Sequence, residues 1–221
     1  MRLEKYIDHT LLKPTATSLD IEKLCNEAME YKFFSVCVNS CYVPLAAELL
    51  RNSDVSVCSV VGFPLGAMST RAKLFEAERA LTDGADEIDM VLNIGWLKSK
   101  RINEVLQEIS FIKNETGKRI LKVILETCYL DETEKKLACK LCVDAGADFV
   151  KTSTGFGSAG ATFEDVKLMK NAVKGDAKVK ASGGIRDRQT AMDYIYLGVD
   201  RIGTSNGIAI VTGDSSVQSG Y

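Results

Sequence analysis

Four charged side chains stand inside otherwise apolar segments of this 221-residue chain: Asp89 in EIDMV, Lys122 in ILKVIL, Lys151 in FVKTS and Lys180 in VKAS. A buried charge destabilises a fold strongly unless it is paired. An isolated lysine of this kind is typical of a structural ion pair, or of an ammonium that reaches the surface. Two strand lysines with an aspartate nearby favour a shared chemical role.

Such a pair of lysines suits Schiff-base chemistry. Only a neutral amine attacks a carbonyl, and a lysine with the ordinary pKa of about 10.4 is rarely neutral at pH 7. A second ammonium a few ångströms away, together with desolvation, lowers that pKa. Strand periodicity puts Lys151 on one face with Phe149 and Ser153, and Lys180 on one face with Ser182, so both can point inward. A protonated imine is an electron sink for the adjacent carbon–carbon bond, which indicates an aldolase.

Glycine-rich segments follow three late apolar runs, at 152–162, 181–187 and 202–207. They put unhindered backbone N–H groups close to the start of a helix, where anions bind readily. In α/β barrels a phosphate frequently lies at the loops after strands seven and eight. The second and third segments occupy those places, so they predict a phosphate site.

Short apolar runs that alternate with helical patterns predict the fold. Both the odd and the even positions of each run are apolar, which is typical of parallel strands buried on both faces. Helical spacing is evident at 70–84, 102–117 and 163–173. We predict a TIM (β/α)8 barrel forming a single domain over 1–221, with a flexible tail from about 212. The alternative is an open doubly wound sheet, but no GxGxxG follows the first strand. The predicted strands are 7–12, 35–38, 55–63, 87–93, 119–127, 149–153, 178–183 and 201–205.

An internal repeat supports this reading. GADEID at 84–89, GADFVK at 146–151 and GVDRIG at 198–203 each follow a helical segment and run into a strand. The glycine of each unit suits the left-handed residue that ends a helix. If the units superpose, Asp89, Lys151 and Gly203 occupy equivalent strand positions.

Charge and targeting signals limit the class of protein. The chain has 28 Lys and Arg against 30 Asp and Glu, with no run of like charges, so we expect neither a nucleic-acid nor a membrane partner. The apolar run at 55–63 is far shorter than the roughly 18 to 20 residues of a membrane span. The charged N-terminus is unlike a signal peptide, so we expect a cytoplasmic protein.

The seven cysteines are odd in number, and most lie in apolar segments. We interpret them as reduced, buried thiols. Cys37 with Cys41, and Cys139 with Cys142, have spacings that metal or redox pairs use, but zinc takes four ligands and His9 is the one histidine. We therefore expect no metal and no cofactor.

Eight segments between about residue 7 and residue 208 carry a family pattern. They are IDHTLLKPTAT, VCVN, VVGFPLGA, GADEIDMVLNIG, LKVILET, GADFVKTSTGFGSAGAT, VKASGGIRD and RIGTSNG. In these segments the sequence resembles the deoxyribose-phosphate aldolase family, which are class I aldolases with a TIM-barrel fold. The resemblance implies reversible cleavage of 2-deoxy-D-ribose 5-phosphate to D-glyceraldehyde 3-phosphate and acetaldehyde, in deoxyribonucleotide catabolism. It also implies a homo-oligomer.

The resemblance also implies roles for single residues. Lys151 matches the Schiff-base lysine, Lys180 the partner that perturbs it, and Asp89 the acid that acts in proton transfer. Phe156 stands where some members have a lysine that contacts phosphate. Residues matching the phosphate site are Gly183, Gly184, Gly203 and Ser205, those matching the pocket lining are Asp8 and Thr10, and the candidate proton relays are Tyr221 and Lys122.

Two other functions remain as alternatives. A sugar-phosphate isomerase also needs a phosphate site such as GGIRD at 183–187, and it would release no acetaldehyde. A phosphosugar-binding regulatory protein would bind the ligand without turnover, but it has no need of two strand lysines and an acid.

Overall fold

Eight parallel strands close into a barrel in sequence order, as a computed structural model that describes residues 2–214 shows. Every predicted strand is confirmed, and closure of β1 onto β8 excludes the open doubly wound sheet. The strands are β1 (Ile7–Leu11), β2 (Ser35–Val38), β3 (Ser56–Val61), β4 (Glu87–Val91), β5 (Ile120–Ile124), β6 (Phe149–Lys151), β7 (Lys178–Ser182) and β8 (Arg201–Thr204).

Helices connect successive strands and cover the barrel. The three helical segments predicted from spacing correspond to α3, α5 and α7. The helices are α1 (Ser18–Glu30), α2 (Val43–Leu50), α3 (Thr70–Thr82), α4 (Ile94–Lys98), α5 (Ile102–Thr116), α6 (Glu132–Asp144), α7 (Phe163–Val173), α8 (Arg188–Tyr196) and α9 (Gly207–Thr212). Single 3-10 turns occur at Leu3–Tyr6, Ser40–Tyr42 and Thr127–Tyr129.

Local sequence explains where the helices begin. Thr17 and Asp20 form a reciprocal capping box at the start of α1, and Asp131 and Glu134 do the same for α6. Each cap satisfies backbone N–H groups that have no partner within the helix, and it is worth about 1 kcal/mol.

The three-unit repeat has a structural cause. Gly84, Gly146 and Gly198 have φ of 110°, 77° and 85°, as predicted for residues that end a helix. The repeat aspartates then tie each new strand to its neighbour. Asp86 accepts a hydrogen bond from the backbone N–H of Val57, Asp148 from Leu121 and Asp200 from Val179, at 2.9, 2.8 and 2.9 Å. The repeat therefore sets the register at the amino ends of the strands.

The apolar core lies between the strands and the helices, whereas the barrel interior is rich in charge. Lys151 and Lys180 are direct register partners on β6 and β7, and Asp89 and Lys122 are partners on β4 and β5. Residues at these positions point to the same face, so all four side chains enter the barrel.

Two predictions concern the chain ends and membranes. The tail predicted from about 212 begins at the last residue of α9, and residues 215–221, including Tyr221, lie outside the described residues. The single domain over 1–221 with its flexible tail therefore stays a prediction. Within residues 2–214, every helix is too short or too polar to cross a membrane.

Candidate active site

Asp89 lies at the centre of the barrel, fully buried, and three lysines share its carboxylate. Lys151 Nζ and Lys180 Nζ each lie 2.8 Å from Oδ2, and Lys122 Nζ lies 2.7 Å from Oδ1. The Lys151 and Lys180 nitrogens are therefore at most about 5.6 Å apart, twice 2.8 Å. The predicted pair of strand lysines with an acid is a single cluster, with no aliphatic layer between the two ammonium groups.

Further ion pairs with buried carboxylates and an arginine surround these lysines. Asp8 lies 2.5 Å from Lys180 and 2.6 Å from Arg201, while Glu87 lies 2.5 Å from Lys122 and 2.6 Å from Arg201. Together with Asp89 and Lys151, the cluster holds four cations and three carboxylates. One positive charge is therefore in excess at the barrel centre if every group is ionised.

The electrostatics of the cluster keep most of its members charged. Burial alone would raise the pKa of Asp89, but the ammonium groups of Lys122, Lys151 and Lys180 outweigh burial and hold it well below its ordinary value. Burial would lower the pKa of Lys180, but the carboxylates of Asp8 and Asp89 raise it. Burial would also lower the pKa of Lys122, but Asp89 and neighbouring groups raise it. Lys122 and Lys180 are thus fixed as cations.

Lys151 differs from the other three cations because it borders a cavity. A pocket of about 380 Å³ opens at the carboxyl ends of the strands, and Lys151 is the cluster member that lines it. The side chains of Lys122 and Lys180 have no exposed surface. A carbonyl compound that enters the pocket therefore reaches one amine of the cluster, that of Lys151.

The structure brings most of the predicted binding residues to this pocket. Thr10, Gly183, Gly184, Gly203 and Ser205 all line it, on loops and strand ends of β1, β7 and β8. The φ angles of Gly183 and Gly184 are 87° and 82°, a left-handed conformation that favours glycine. A Cβ on Gly203 would lie 2.9 Å from Ser182 Cβ and 3.0 Å from Lys180 Cε, so the lysine packs on the bare backbone.

Two of the residues predicted to line the pocket or to relay protons, Asp8 and Lys122, lie below the pocket. Asp8 is fully buried one layer deeper, where it pairs with Lys180 and Arg201. This position corrects the expectation of a pocket-lining Asp8, because its side chain satisfies two buried cations. Lys122 also lies below the pocket and meets the site through Asp89. Tyr221 is outside the described residues.

Several charged residues of the site were missed in the sequence. Glu87 and Arg201 begin apolar strands, so the criterion that found the four central residues also applies to them. Arg201 additionally lies over the ring of Phe34, with its Cζ 3.4 Å from the ring centroid. Lys13 and Arg186 line the pocket, and they lie within the family segments IDHTLLKPTAT and VKASGGIRD, where no role was predicted for them.

Phe156 forms part of the pocket wall. It is 49% exposed, and its ring meets that of Phe63 edge to face, with centroids 5.3 Å apart. The wall at this position is therefore aromatic, and Lys13 and Arg186 supply positive charge elsewhere in the pocket lining.

The cysteines follow the prediction with two exceptions. All seven are free; Cys41 is exposed and Cys128 is partly exposed, whereas the others are buried. Donor atoms of Cys37, Cys58 and Asp89 lie within 4.8 Å of one another, the spacing of a metal site. Both Asp89 oxygens already accept hydrogen bonds from lysine ammonium groups, so a metal ion would have to displace cations from them.

Comparisons with known proteins agree with this geometry. A model of the DeoC/LacD aldolase family matches residues 2–210. A curated deoxyribose-phosphate aldolase of Finegoldia magna is 60% identical over 96% of this chain and 100% of its own length, and one of Brevibacillus brevis is 56% identical over the whole of both chains. The solved tetrameric deoxyribose phosphate aldolase of Aeropyrum pernix superposes with a TM-score of 0.88 at 35% identity, covering 97% of this chain and 91% of that one.

Proposed function

The chain belongs to the DeoC/LacD family of aldolases, and on this basis we propose that it is a deoxyribose-phosphate aldolase, a class I lyase. It reversibly cleaves 2-deoxy-D-ribose 5-phosphate to D-glyceraldehyde 3-phosphate and acetaldehyde. The observation that carries this function is the access of one lysine of the central cluster, Lys151, to the pocket.

Lys151 serves as the nucleophile. Its neutral amine attacks the C1 aldehyde of the open-chain sugar, and loss of water gives a protonated imine. Loss of the proton from the C3 hydroxyl lets the C2–C3 bond break. The bonding electrons move into the imine, which leaves an enamine on Lys151 and releases glyceraldehyde 3-phosphate. Protonation of the enamine carbon and hydrolysis of the imine then release acetaldehyde.

Lys180 and Asp89 prepare Lys151 for this role. The excess positive charge of the cluster is relieved when Lys151 gives up its proton, because Lys180 and Lys122 are held charged by Asp8, Glu87 and Asp89. Asp89 Oδ2 lies 2.8 Å from both lysine nitrogens, so a water bound to this carboxylate suits transfer of the C3 hydroxyl proton to the enamine carbon, while Lys180 stays charged.

The far end of the pocket suits the phosphate. Gly183, Gly184, Gly203 and Ser205 follow strands β7 and β8, where barrels bind phosphate through backbone N–H groups. Arg186 adds a positive charge on the same side. Thr10 suits contact with the sugar, while Asp8 acts through its ion pair with Lys180.

Other expectations stay proposals. We retain a cytoplasmic location, and the near-balanced charge of the chain supports a small-molecule role without nucleic acid or membrane. A homo-oligomer is supported by the tetrameric relative from Aeropyrum pernix. Tyr221 is kept as a candidate proton relay, and Lys122 acts by holding Asp89. No cofactor or metal is invoked.

The test is product analysis with 2-deoxy-D-ribose 5-phosphate. We expect equal amounts of acetaldehyde and glyceraldehyde 3-phosphate, and formation of the sugar phosphate when the two aldehydes are supplied together. An isomerase would instead give an isomeric sugar phosphate and no acetaldehyde. A regulatory protein would bind the sugar phosphate and give no product at all. Either result would replace the aldolase function.

A further inference from the structure

Glu126 makes close contacts with the pocket wall and has no part in the chemistry proposed for Lys151. It follows β5 in the segment LKVILET, is 2% exposed, and has a left-handed backbone conformation with φ of 54°. Residues other than glycine seldom adopt this conformation, and where they do the surroundings hold them in it. Such positions cluster at functional sites, so the contacts of the side chain are informative.

The Glu126 carboxylate binds Thr154 with both oxygens. Oε1 accepts a hydrogen bond from the Thr154 backbone N–H at 3.2 Å, and Oε2 accepts one from the Thr154 hydroxyl. The same hydroxyl in turn accepts the backbone N–H of Phe156 at 3.0 Å. One carboxylate therefore fixes three successive residues, 154–156, and all three line the pocket.

The chain around the carboxylate is packed to match it. A Cβ on Gly157 would lie 3.0 Å from Glu126 Cδ and 2.8 Å from Cys128 Sγ, so the loop passes against the carboxylate where only glycine fits. Backbone bonds run beside this contact: Leu125 N–H donates to Lys151 C=O at 2.9 Å, and Thr127 N–H donates to Thr152 C=O at 3.0 Å. The wall and the Lys151 backbone are thus held from the same short segment after β5, residues 125–127.

We propose that Glu126 is a positioning residue, which sets the distance between Lys151 and the pocket wall 154–156 and so governs the binding of the phosphosugar half of the substrate. The inference rests on the proposed aldolase function. Glu126 acts through Thr154 and touches no reacting atom. Acetaldehyde alone occupies only the space next to Lys151, so Schiff-base formation with acetaldehyde does not depend on this wall.

The experiment compares Glu126→Gln with Asp148→Asn. Asp148 is a matched control because its carboxylate binds the same two strands at their opposite ends, accepting the Leu121 backbone N–H at 2.8 Å. For each variant, kcat and KM for 2-deoxy-D-ribose 5-phosphate are measured, together with the rate at which acetaldehyde and borohydride label Lys151. Thermal unfolding confirms that the variants are folded.

We expect Glu126→Gln to lose about 10²-fold in kcat/KM for the sugar phosphate, the size of effect that a misplaced wall produces, while the labelling rate of Lys151 changes by less than about twofold. Asp148→Asn should change neither quantity. A parallel fall in turnover and labelling would overturn the proposal, because it would mean that Glu126 supports the fold generally. Unchanged kcat/KM would overturn it as well.

Thr154 provides the second test, which also tests the positioning role of Glu126 if Glu126→Gln does not fold. Thr154→Val removes the hydroxyl that Glu126 holds, whereas Thr154→Ser keeps it. We expect the valine variant to show the selective loss of kcat/KM and the serine variant to recover it; equal activity of the two would contradict the proposal. Failure of the proposed function is distinguishable, because the unaltered protein would then give neither cleavage products nor a Lys151 adduct.

Discussion

The barrel centre and the interface between α3 and α5 both bury lysine ammonium groups against carboxylates, and only one of them suits catalysis. At the interface, Lys73 lies 2.6 Å from Glu108 and donates to the Val91 carbonyl oxygen at 2.8 Å, and Thr70 donates to the second Glu108 oxygen at 3.0 Å. One cation meets one anion, and both are closed off from solvent.

The barrel centre differs in charge balance and in access. Four cations face three carboxylates, and one of the cations, Lys151, borders the pocket. Burial lowers the pKa of Lys73, with Glu108 opposing this effect, whereas the carboxylates around Lys180 raise its pKa. A lowered lysine pKa therefore does not by itself indicate a catalytic site. A catalytic site is indicated more specifically by an excess of buried positive charge together with access from a pocket to one of the amines.

Replacement of Lys151 should give the largest effect. We expect Lys151→Ala to reduce kcat by at least about 10⁴-fold, because the nucleophile is lost, while the thermal midpoint falls by less than about 4 °C because the excess charge goes with it. Steady-state cleavage assays and thermal unfolding measure the two quantities. Substantial remaining turnover would show that another amine reacts.

Breaking the ion pair between Lys73 and Glu108 should lower the stability of the fold and leave the activity unchanged. Lys73→Met leaves the Glu108 carboxylate buried without its cation, so the free energy of unfolding should fall by about 3 to 5 kcal/mol. The double variant Lys73→Met with Glu108→Leu should recover most of this loss. In both, kcat per folded molecule should stay within about twofold of the parent. A large loss of kcat in the folded double variant would remove the distinction between the two regions.

Removal of the second lysine should change the pH dependence. Two unit charges at most about 5.6 Å apart repel by at least about 3 kcal/mol at an effective dielectric constant of about 20, or about two pH units. Lys180→Leu removes this repulsion from the catalytic cluster. We expect the acid limb of kcat/KM to move up by about one to two pH units and kcat to fall by about 10²-fold. A parental pH profile would contradict the charge argument.

The smallest predicted effect concerns acid stability. The pKa of Asp89 is held well below the ordinary 3.8 in the folded protein, so its contribution to stability is complete above that pH and is lost as the pH falls through the folded-state pKa. Lys151→Ala removes one of the three ammonium groups responsible. The decline in unfolding free energy between about pH 4 and pH 2 should then be smaller by about 1 kcal/mol. Urea unfolding at several pH values measures it; a decline equal to that of the parent would be evidence against the shared carboxylate.

Much of the fold followed from local patterns. Strands buried on both faces gave uniform apolar runs, and glycines that end helices marked the repeat, so the eight strands and the barrel could be predicted. The function of the repeat aspartates could not be predicted, because Asp86, Asp148 and Asp200 accept hydrogen bonds from strands that are far away in sequence.

The site was predictable where a charge interrupted a strand. Asp89, Lys151 and Lys180 stood out for this reason, whereas Lys73 lies on an amphipathic helix, where a lysine is ordinary. The deeper position of Asp8 depends on its contact with Arg201 of the neighbouring strand β8, and local spacing does not encode this pairing of the first strand with the last. Glu126 was missed although it lay inside the predicted strand 119–127, because it stands at the end of the apolar run; in the structure β5 already ends at Ile124.

The most direct measurement is the site of borohydride reduction in the presence of acetaldehyde, mapped by peptide mass spectrometry after brief labelling. We expect an N-ethyl group on Lys151 with acetaldehyde, and also with 2-deoxy-D-ribose 5-phosphate because its cleavage leaves the same imine, and none on Lys122, Lys180 or Lys73. Labelling of Lys180 in place of Lys151, or no label on Lys151 with either compound, would contradict this mechanism.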